Sequence, residues 1–304
     1  MQFPVVKPPV GIVFDSAMDR IDDVLALAML HGFDGKDQAR IAGIAVSNSN
    51  LQAAQFCDAV RIFYASATTG PAAMFMHAPP VGLADTKPAA SAPMLAVSEK
   101  SAVKSINDTA EVGTLIRNAL TAYHDTNAAV VLSGPATDLA KLLDMYGVKD
   151  LIARKVRLLC VTESGLSADV AAARKVYDMW PTPIVTVKED VGTALPFPGE
   201  SIEKDFAWAS GHPVVDAYRA YRPMPYDAPS WAMAAMLYAV RPKENYFKLS
   251  GADDKRRYLM ADPEQKERVI RAYIELASAK PVARKPRHPV DDKKAEEKKK
   301  EAAK

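Results

Sequence analysis

Val10–His31, VGIVFDSAMDRIDDVLALAMLH, joins an apolar run to a helical pattern through a cluster of acids. An apolar run from Val10 to Phe14 passes at Asp15 into a short polar turn. Ile21, Val24, Leu25, Ala28 and Met29 then recur at helical spacing. The stretch reads as strand, acidic loop, helix. Such a junction places Asp15, Asp19, Asp22 and Asp23 at the carboxyl end of a buried strand, the edge where open α/β sheets build ligand sites. Carboxylates crowded there repel one another unless a cation, sugar hydroxyls or backbone N–H groups answer them. A plainer reading is open as well: Asp22 and Asp23 suit the positive end of the helix dipole, and the others cap the turn.

Outward from this unit the pattern repeats. Arg40–Val46 is a second apolar strand candidate ending in the polar turn Ser47-Asn48-Ser49-Asn50, and a helix is expected over Leu51–Ala65. Ala72–Met76 suggests a short strand, and Pro79–Pro93, rich in Ala and Pro, a surface excursion. Asp108 suits the N-cap of a helix through about His124. The strand Asn127–Leu132 runs into a Gly-Pro turn and a further helix, the third occurrence of one pattern. Lys155–Val161 and Pro183–Lys188 supply strands, with a helix over Val170–Met179 between them. Regular β/α alternation predicts an α/β fold with a mostly parallel, Rossmann-like open sheet and flanking helices. Beyond Gly192 helices are expected over Ile202–Ala209, Val214–Tyr221 and Ser230–Val240. A strand pair, Asn245–Ser250 with Lys255–Met260, and a last amphipathic helix, Pro263–Ala277, follow.

Bulk properties narrow the function classes. Apolar residues at 49% and charged residues at 25% of 304 are ordinary for a globular chain large enough to bury a sizeable core. Ten of the 39 Lys/Arg but five of the 37 Asp/Glu fall from Lys280 onward, so the body is slightly acidic and the tail basic. The expected organisation is one domain over 1–280 and a charged, disordered tail over 281–304. An acidic body gives no reason to expect a nucleic-acid partner. Cys57 and Cys160 make no metal or redox spacing and read as buried thiols. No run reaches the roughly 18 apolar residues of a membrane span, which leads to the expectation of a soluble protein, cytoplasmic, or exported where a leader has been removed.

Several segments, in order, resemble one family. Phe14–Leu30, FDSAMDRIDDVLALAML, is similar to the signature of the inosine-uridine-preferring nucleoside hydrolases: Asp-x-Asp, a short Gly-containing stretch, then Asp-Asp and an Ala/Leu-rich helix. Ser133–Leu143, SGPATDLAKLL, resembles the family's Gly-Pro-x-Thr turn. Met224–Pro242, MPYDAPSWAMAAMLYAVRP, resembles a helix that in related bacterial members begins Trp-Asp. WPTPIVTV from Trp180 and HPVVDAYRAY from His212 also fit. The resemblance implies the nucleoside hydrolase fold, a nucleoside-like ligand, a homodimer or homotetramer, and a calcium ion that holds the attacking water and the ribose hydroxyls. By position it implies that Asp15 supports the loop, Asp22 and Asn48 bind ribose, and Asp23 and the Thr137 backbone carbonyl hold the metal, with Asp15 or Asp19 as further candidate ligands.

The departures from the pattern are as informative. The family's general base and metal ligand, the second Asp of Asp-x-Asp, falls at Ala17, and the Asp after Trp, another ligand, falls at Ala232. Calcium wants about 6 to 8 oxygen ligands, and alanine has no side-chain donor or acceptor. The ribose-gripping motif is absent from Val161–Val176, where Glu163 is the candidate that reaches the pocket and Asp169 reads as a helix N-cap. Asp19 or Asp227 could replace a lost carboxylate, and His31 or His212 could serve as an acid, although Asp227 reads more simply as a loop or capping residue and the histidines as structural. Two readings follow: an inactive homologue with a degenerate calcium site that binds a ligand or partner, or an active N-ribohydrolase with a rearranged site.

Overall fold

The computed structural model describes residues 9–66, 81–86, 92, 94–95, 100–251 and 253–283. Strands β1 (Val10–Ser16), β2 (Ala39–Val46), β3 (Val81–Leu83), β4 (Ala128–Leu132), β5 (Val156–Thr162), β6 (Ile184–Val187), β7 (Phe247–Ser250) and β8 (Arg256–Ala261) form one eight-stranded sheet in the order β3-β2-β1-β4-β5-β6-β8-β7. All neighbouring pairs are parallel except β7 with β8. The central strands β4 and β1 as far as Phe14 are apolar without a break because both faces of the sheet are covered. Ile12 and Phe14 of β1, Ala129 and Val131 of β4, and Leu158 and Cys160 of β5 face one core, and the alternate residues Val13, Val130, Leu132, Leu159 and Val161 face the other.

The first core is roofed by α1 (Ile21–Gly35), α2 (Leu51–Ala65), and three helices further along the chain. The second is roofed by α3 (Val112–Ala122), α4 (Thr137–Leu142), α5 (Val148–Lys155), α6 (Glu163–Ser167) and α7 (Val170–Met179). Next come the short α8 (Glu189–Ala194) and α9 (Glu200–Lys204), then α10 (Pro213–Tyr221), α11 (Trp231–Val240) and α12 (Lys266–Ala277). Helix α1 is buried on every side from Ile21 to Phe33 because the sheet, α10, α11 and α12 all pack on it. That explains why its apolar residues do not stop at one stripe.

Most expected elements fall within a residue or two of their observed bounds, and Cys57 and Cys160 are buried free thiols. Three expectations need correction. Val81–Leu83 is an edge strand inside the stretch read as a surface excursion; pairing with Ile44–Val46 holds it extended. Asp108 does not cap α3 but ends a preceding 3₁₀ turn at Ile106–Asp108, its side chain accepting from the N–H groups of Lys104 and the N-cap Ser105, while the Glu111 side chain accepts from Gly113 and Thr114 N–H at the start of α3. Ile202–Ala209 is not one helix, since α9 ends at Lys204 and the chain continues in turns. Ala72–Met76 and the tail from 284 lie outside the described residues. Among the described residues no helix is long and apolar enough to cross a membrane.

Candidate functional site

The strand order reverses between β1 and β4, the switch point at which open α/β sheets leave a crevice beyond their carboxyl ends. The β1 exit supplies Asp15 and Ser16, the β2 exit Ser47, the β4 exit Ser133, and the β5 exit Thr162. Ser133 N–H donates to the Asp15 carbonyl at 2.8 Å and Ser47 N–H to the Ser16 carbonyl at 3.0 Å, which carries the strand pairing up to the rim.

Asp15 is fully buried and neither carboxylate oxygen has a hydrogen-bond partner at normal geometry. Burial first, then the charge of Asp138, pushes its carboxyl well above the usual range, with Ser47 opposing. Asp138, near the start of α4, is itself pushed up to about 6 by burial, against the pull of Lys141. The buried Ser47 hydroxyl faces Asp15 and the Ser133 hydroxyl faces Asp23, each favouring the charged carboxylate, though neither makes a hydrogen bond of normal geometry. The pair Asp15 and Asp138 is thus most comfortable holding a proton.

The acidic loop turns sharply at Met18, a buried residue at φ 52° whose N–H donates to Ser16 Oγ at 3.0 Å. Ala17 presents a methyl group where a carboxylate was expected, and Asn48 Nδ2 donates to the Ala17 carbonyl at 2.9 Å. Asn48 Oδ1 in turn accepts from Asn50 N–H at 3.0 Å, so this side chain ties the exits of β1 and β2 together. Asp19 is exposed at the rim. Asp22 points at the start of α11: Oδ2 accepts from Ala232 N–H at 2.5 Å and Oδ1 from Met233 N–H at 3.2 Å. Both oxygens therefore serve the positive end of a helix formed some 210 residues later. Burial still raises the Asp22 pKa to about 7, with Arg20 and the two N–H groups opposing and Asp23 adding to the rise.

Asp23 is completely buried, and burial raises its pKa against Arg20. The Arg20 Nη2 atom lies 3.5 Å from Asp23 Oδ1 and 3.3 Å from the Ser133 carbonyl, while Nη1 donates to Ser164 Oγ at 2.5 Å. The guanidinium carbon sits 5.3 Å from the centroid of the Trp231 ring. Burial alone would lower the Arg20 pKa, but Asp23, Asp22 and Asp19 outweigh it and the group stays charged. Trp231 is fixed by its Nε1–H to the Glu189 carbonyl at 2.9 Å and packs directly on Gly192, where any Cβ would meet the ring at 2.3 Å.

The remaining candidates fall into place around this core. Thr137 opens α4, and its hydroxyl donates to Asp169 Oδ2 at 2.7 Å. Asp169 caps α7 through Ala172 N–H at 3.0 Å, as its position in the sequence suggests. Glu163 accepts from Glu189 N–H at 3.1 Å, and Asp227 accepts from Gly199 N–H at 2.9 Å as a loop clasp. His212 is buried as the N-cap of α10, with Nδ1 accepting from Val214 N–H at 3.2 Å, Nε2 3.2 Å from the Tyr64 hydroxyl, and a pKa driven down to about 4 by burial. His31 is buried and stacked on Tyr64 at 4.5 Å. Neither histidine is built as a proton donor for the crevice.

The donor set does not fit a calcium ion. Ala17 and Ala232 offer no side-chain oxygen, both Asp22 oxygens are engaged by α11, and a guanidinium stands beside Asp23. Among the described residues no group of three or more His, Cys, Asp or Glu is arranged to hold a metal. Sequence reasoning finds the carboxylates but passes over Arg20. The available signal was a lone arginine set among the four acids of one loop.

Sheet order, crevice and flanking helices together define the nucleoside hydrolase fold. The chain is similar over 89% of its length to an inosine-uridine preferring nucleoside hydrolase from Bacillus anthracis, at 14% identity and TM-score 0.61, covering 99% of that chain. It is similar to the type III effector protein XopQ, solved in complex with adenosine diphosphate ribose, at 13% identity and TM-score 0.67 over 90% of this chain and 95% of that one. A purine-preferring ribonucleoside hydrolase from Gardnerella vaginalis gives 14% identity and TM-score 0.62 over 88% and 98%. No protein-family model matches the chain, and no curated protein sequence matches it. At these identities the likeness is one of fold.

Proposed function

We propose that this protein is a nucleoside hydrolase homologue that has given up calcium-assisted cleavage of the N-glycosidic bond and binds a nucleoside-like ligand or a partner without turnover. The observation that carries the reading is the state of the acidic loop: the general-base position is Ala17, and the carboxylate of Asp22 is spent on the N-terminus of α11. Activation of water against an oxocarbenium-like sugar needs a carboxylate free to accept a proton and a cation to orient the water. The general-base position carries no carboxylate, and among the described residues no group of acids is arranged to hold a metal ion. What remains suits recognition: the Asn48 side chain, Ser133, Ser164 and the Trp231 face are gathered at the switch point. The structural neighbours support a ribosylated ligand, since two are named for nucleoside substrates and a third was solved with adenosine diphosphate ribose.

The test is direct. Purified protein is incubated with inosine and with uridine, with calcium or with chelator, and released ribose is measured. The expected result is no release above background. Chelator-sensitive release would overturn the proposal and favour an active N-ribohydrolase with a rearranged site. In parallel, nucleosides and adenosine diphosphate ribose are screened for a rise in Tm, and light scattering gives the subunit number, for which the resemblance implies two or four.

A further inference from the structure

We propose that Arg20 is the resident cation of the crevice, a guanidinium that takes the place of a metal ion beside Asp23, so that the site is built to work without a divalent ion. The inference deepens the functional reading above and rests on it. Asp23 is fully buried with no hydrogen-bond partner of normal geometry on either oxygen. A carboxylate in that position is tolerated only where a positive charge answers it or a proton neutralises it.

Among the described residues, Arg20 is the side chain that forms an ion pair with Asp23. Its contacts are those of a coordinated group and not of a surface arginine passing by. Four separate parts of the chain converge on one guanidinium: Asp23 from α1, the Ser133 carbonyl from the β4 exit, Ser164 Oγ from α6 and the Trp231 ring from α11. An anionic oxygen, a carbonyl oxygen and a hydroxyl oxygen are hard-cation donors. Here they are collected around nitrogen.

The surroundings are fixed for the purpose. A Cβ on Gly165 would fall 2.5 Å from the Gly134 carbonyl oxygen and 2.9 Å from that of Ser133, so α6, which brings Ser164, is seated against the β4 exit by direct backbone approach. A Cβ on Gly134 would strike Ser47 Oγ at 1.9 Å. The Arg20 side chain keeps 21% of its surface exposed, which leaves it reachable by a ligand that enters the crevice. Arginine holds its charge at every physiological pH and presents five N–H donors in a planar fork, so it supplies direction as well as charge. A divalent ion brought to the same oxygens would meet that charge first. The alanines at 17 and 232 and the arginine at 20 then act together: the first two withhold carboxylates from a metal, and the third answers the carboxylate that remains.

The experiment uses the full chain and five proteins: wild type, Arg20→Met, Arg20→Met with Asp23→Asn, Ala17→Asp with Ala232→Asp, and that double variant with Arg20→Ala added. Melting is followed in millimolar calcium chloride and in chelator. Wild type is expected to melt within about 1 °C in the two buffers. Arg20→Met should melt about 6 °C or more below wild type, since it strands a buried carboxylate, and Asp23→Asn should return most of that loss. Ala17→Asp with Ala232→Asp should gain no calcium response while Arg20 is present and should gain one when Arg20→Ala is added. A calcium-raised Tm in wild type would overturn both this inference and the functional reading. An Arg20→Met protein as stable as wild type, no recovery with Asp23→Asn, or a calcium response in the double variant with Arg20 intact would overturn this inference alone. If Arg20→Met fails to fold, its combination with Asp23→Asn still decides, because restored folding supports the ion pair and continued failure refutes it.

Discussion

Asp22 gives the sharpest test of how the acidic loop is wired. Its ordinary pKa of 3.8 is raised to about 7 in the folded chain, chiefly by burial. The sign follows from proton counting: between these values the folded protein holds a proton that the unfolded chain has released. The stability contribution is complete below 3.8 and is lost as pH rises through 7. Between pH 5 and pH 8 the linkage amounts to about 2.5 kcal/mol. At about 2 °C per kcal/mol for a chain of this size, that is about 5 °C in Tm. Asp22→Asn cannot ionise, yet its amide satisfies only one of the two N–H groups of Ala232 and Met233 and turns an NH₂ toward the other. The variant should therefore lie about 1–3 kcal/mol below wild type at pH 5, and the gap should close or reverse at pH 8. Calorimetric melts of both proteins at the two pH values measure this. A wild type to variant gap that is the same at pH 5 and pH 8 within about 1 °C would refute the raised pKa of the buried Asp22 carboxyl, and equal Tm of the two proteins at pH 5 would refute its engagement with the end of α11.

Other consequences can be checked alongside it. His212, held near 4 by burial against an ordinary 6.5, gives stability that is present above 6.5 and lost as pH falls toward 4; His212→Asn, which keeps the α10 cap acceptor, should remove about 2 kcal/mol of the difference between pH 7 and pH 5 in denaturant titrations. Gly165→Ala places a methyl group against the Ser133 and Gly134 carbonyls and should cost about 1–3 kcal/mol, read as a lower Tm. Asn48→Ala releases the Ala17 carbonyl and should lose about 1 kcal/mol, together with any Tm gain seen with a nucleoside. Equal nucleoside response in Asn48→Ala and wild type would remove Asn48 from the binding face.

The parts of the fold legible in the sequence are those in which one residue pattern runs long enough to declare its period. Helix α2 is read at its observed bounds because Asn50 caps it and its buried residues keep helical spacing. The elements that escape are short and depend on neighbours. Val81–Leu83 is three residues extended by an adjacent strand, and α6 is five residues whose start is set by Thr162 Oγ1 accepting from Gly165 N–H. The site divides in the same way. A cluster of aspartates at a strand end is visible by inspection, whereas the engagement of Asp22 depends on a helix that begins at Trp231. The role of Arg20 is less visible still, since it requires Ser133, Ser164 and Trp231 to arrive from three separate elements.

The close seat of Trp231 on Gly192, with the guanidinium of Arg20 over its ring, makes that indole an optical reporter native to the crevice. The other two tryptophans stand apart from it, Trp180 buried in the opposite core and Trp208 among the aromatic rings around His212. A ligand that draws Arg20 off the ring changes the field at Trp231 while leaving those two unmoved. Emission from this protein can therefore signal occupancy of the crevice without an added label and before any substrate is known.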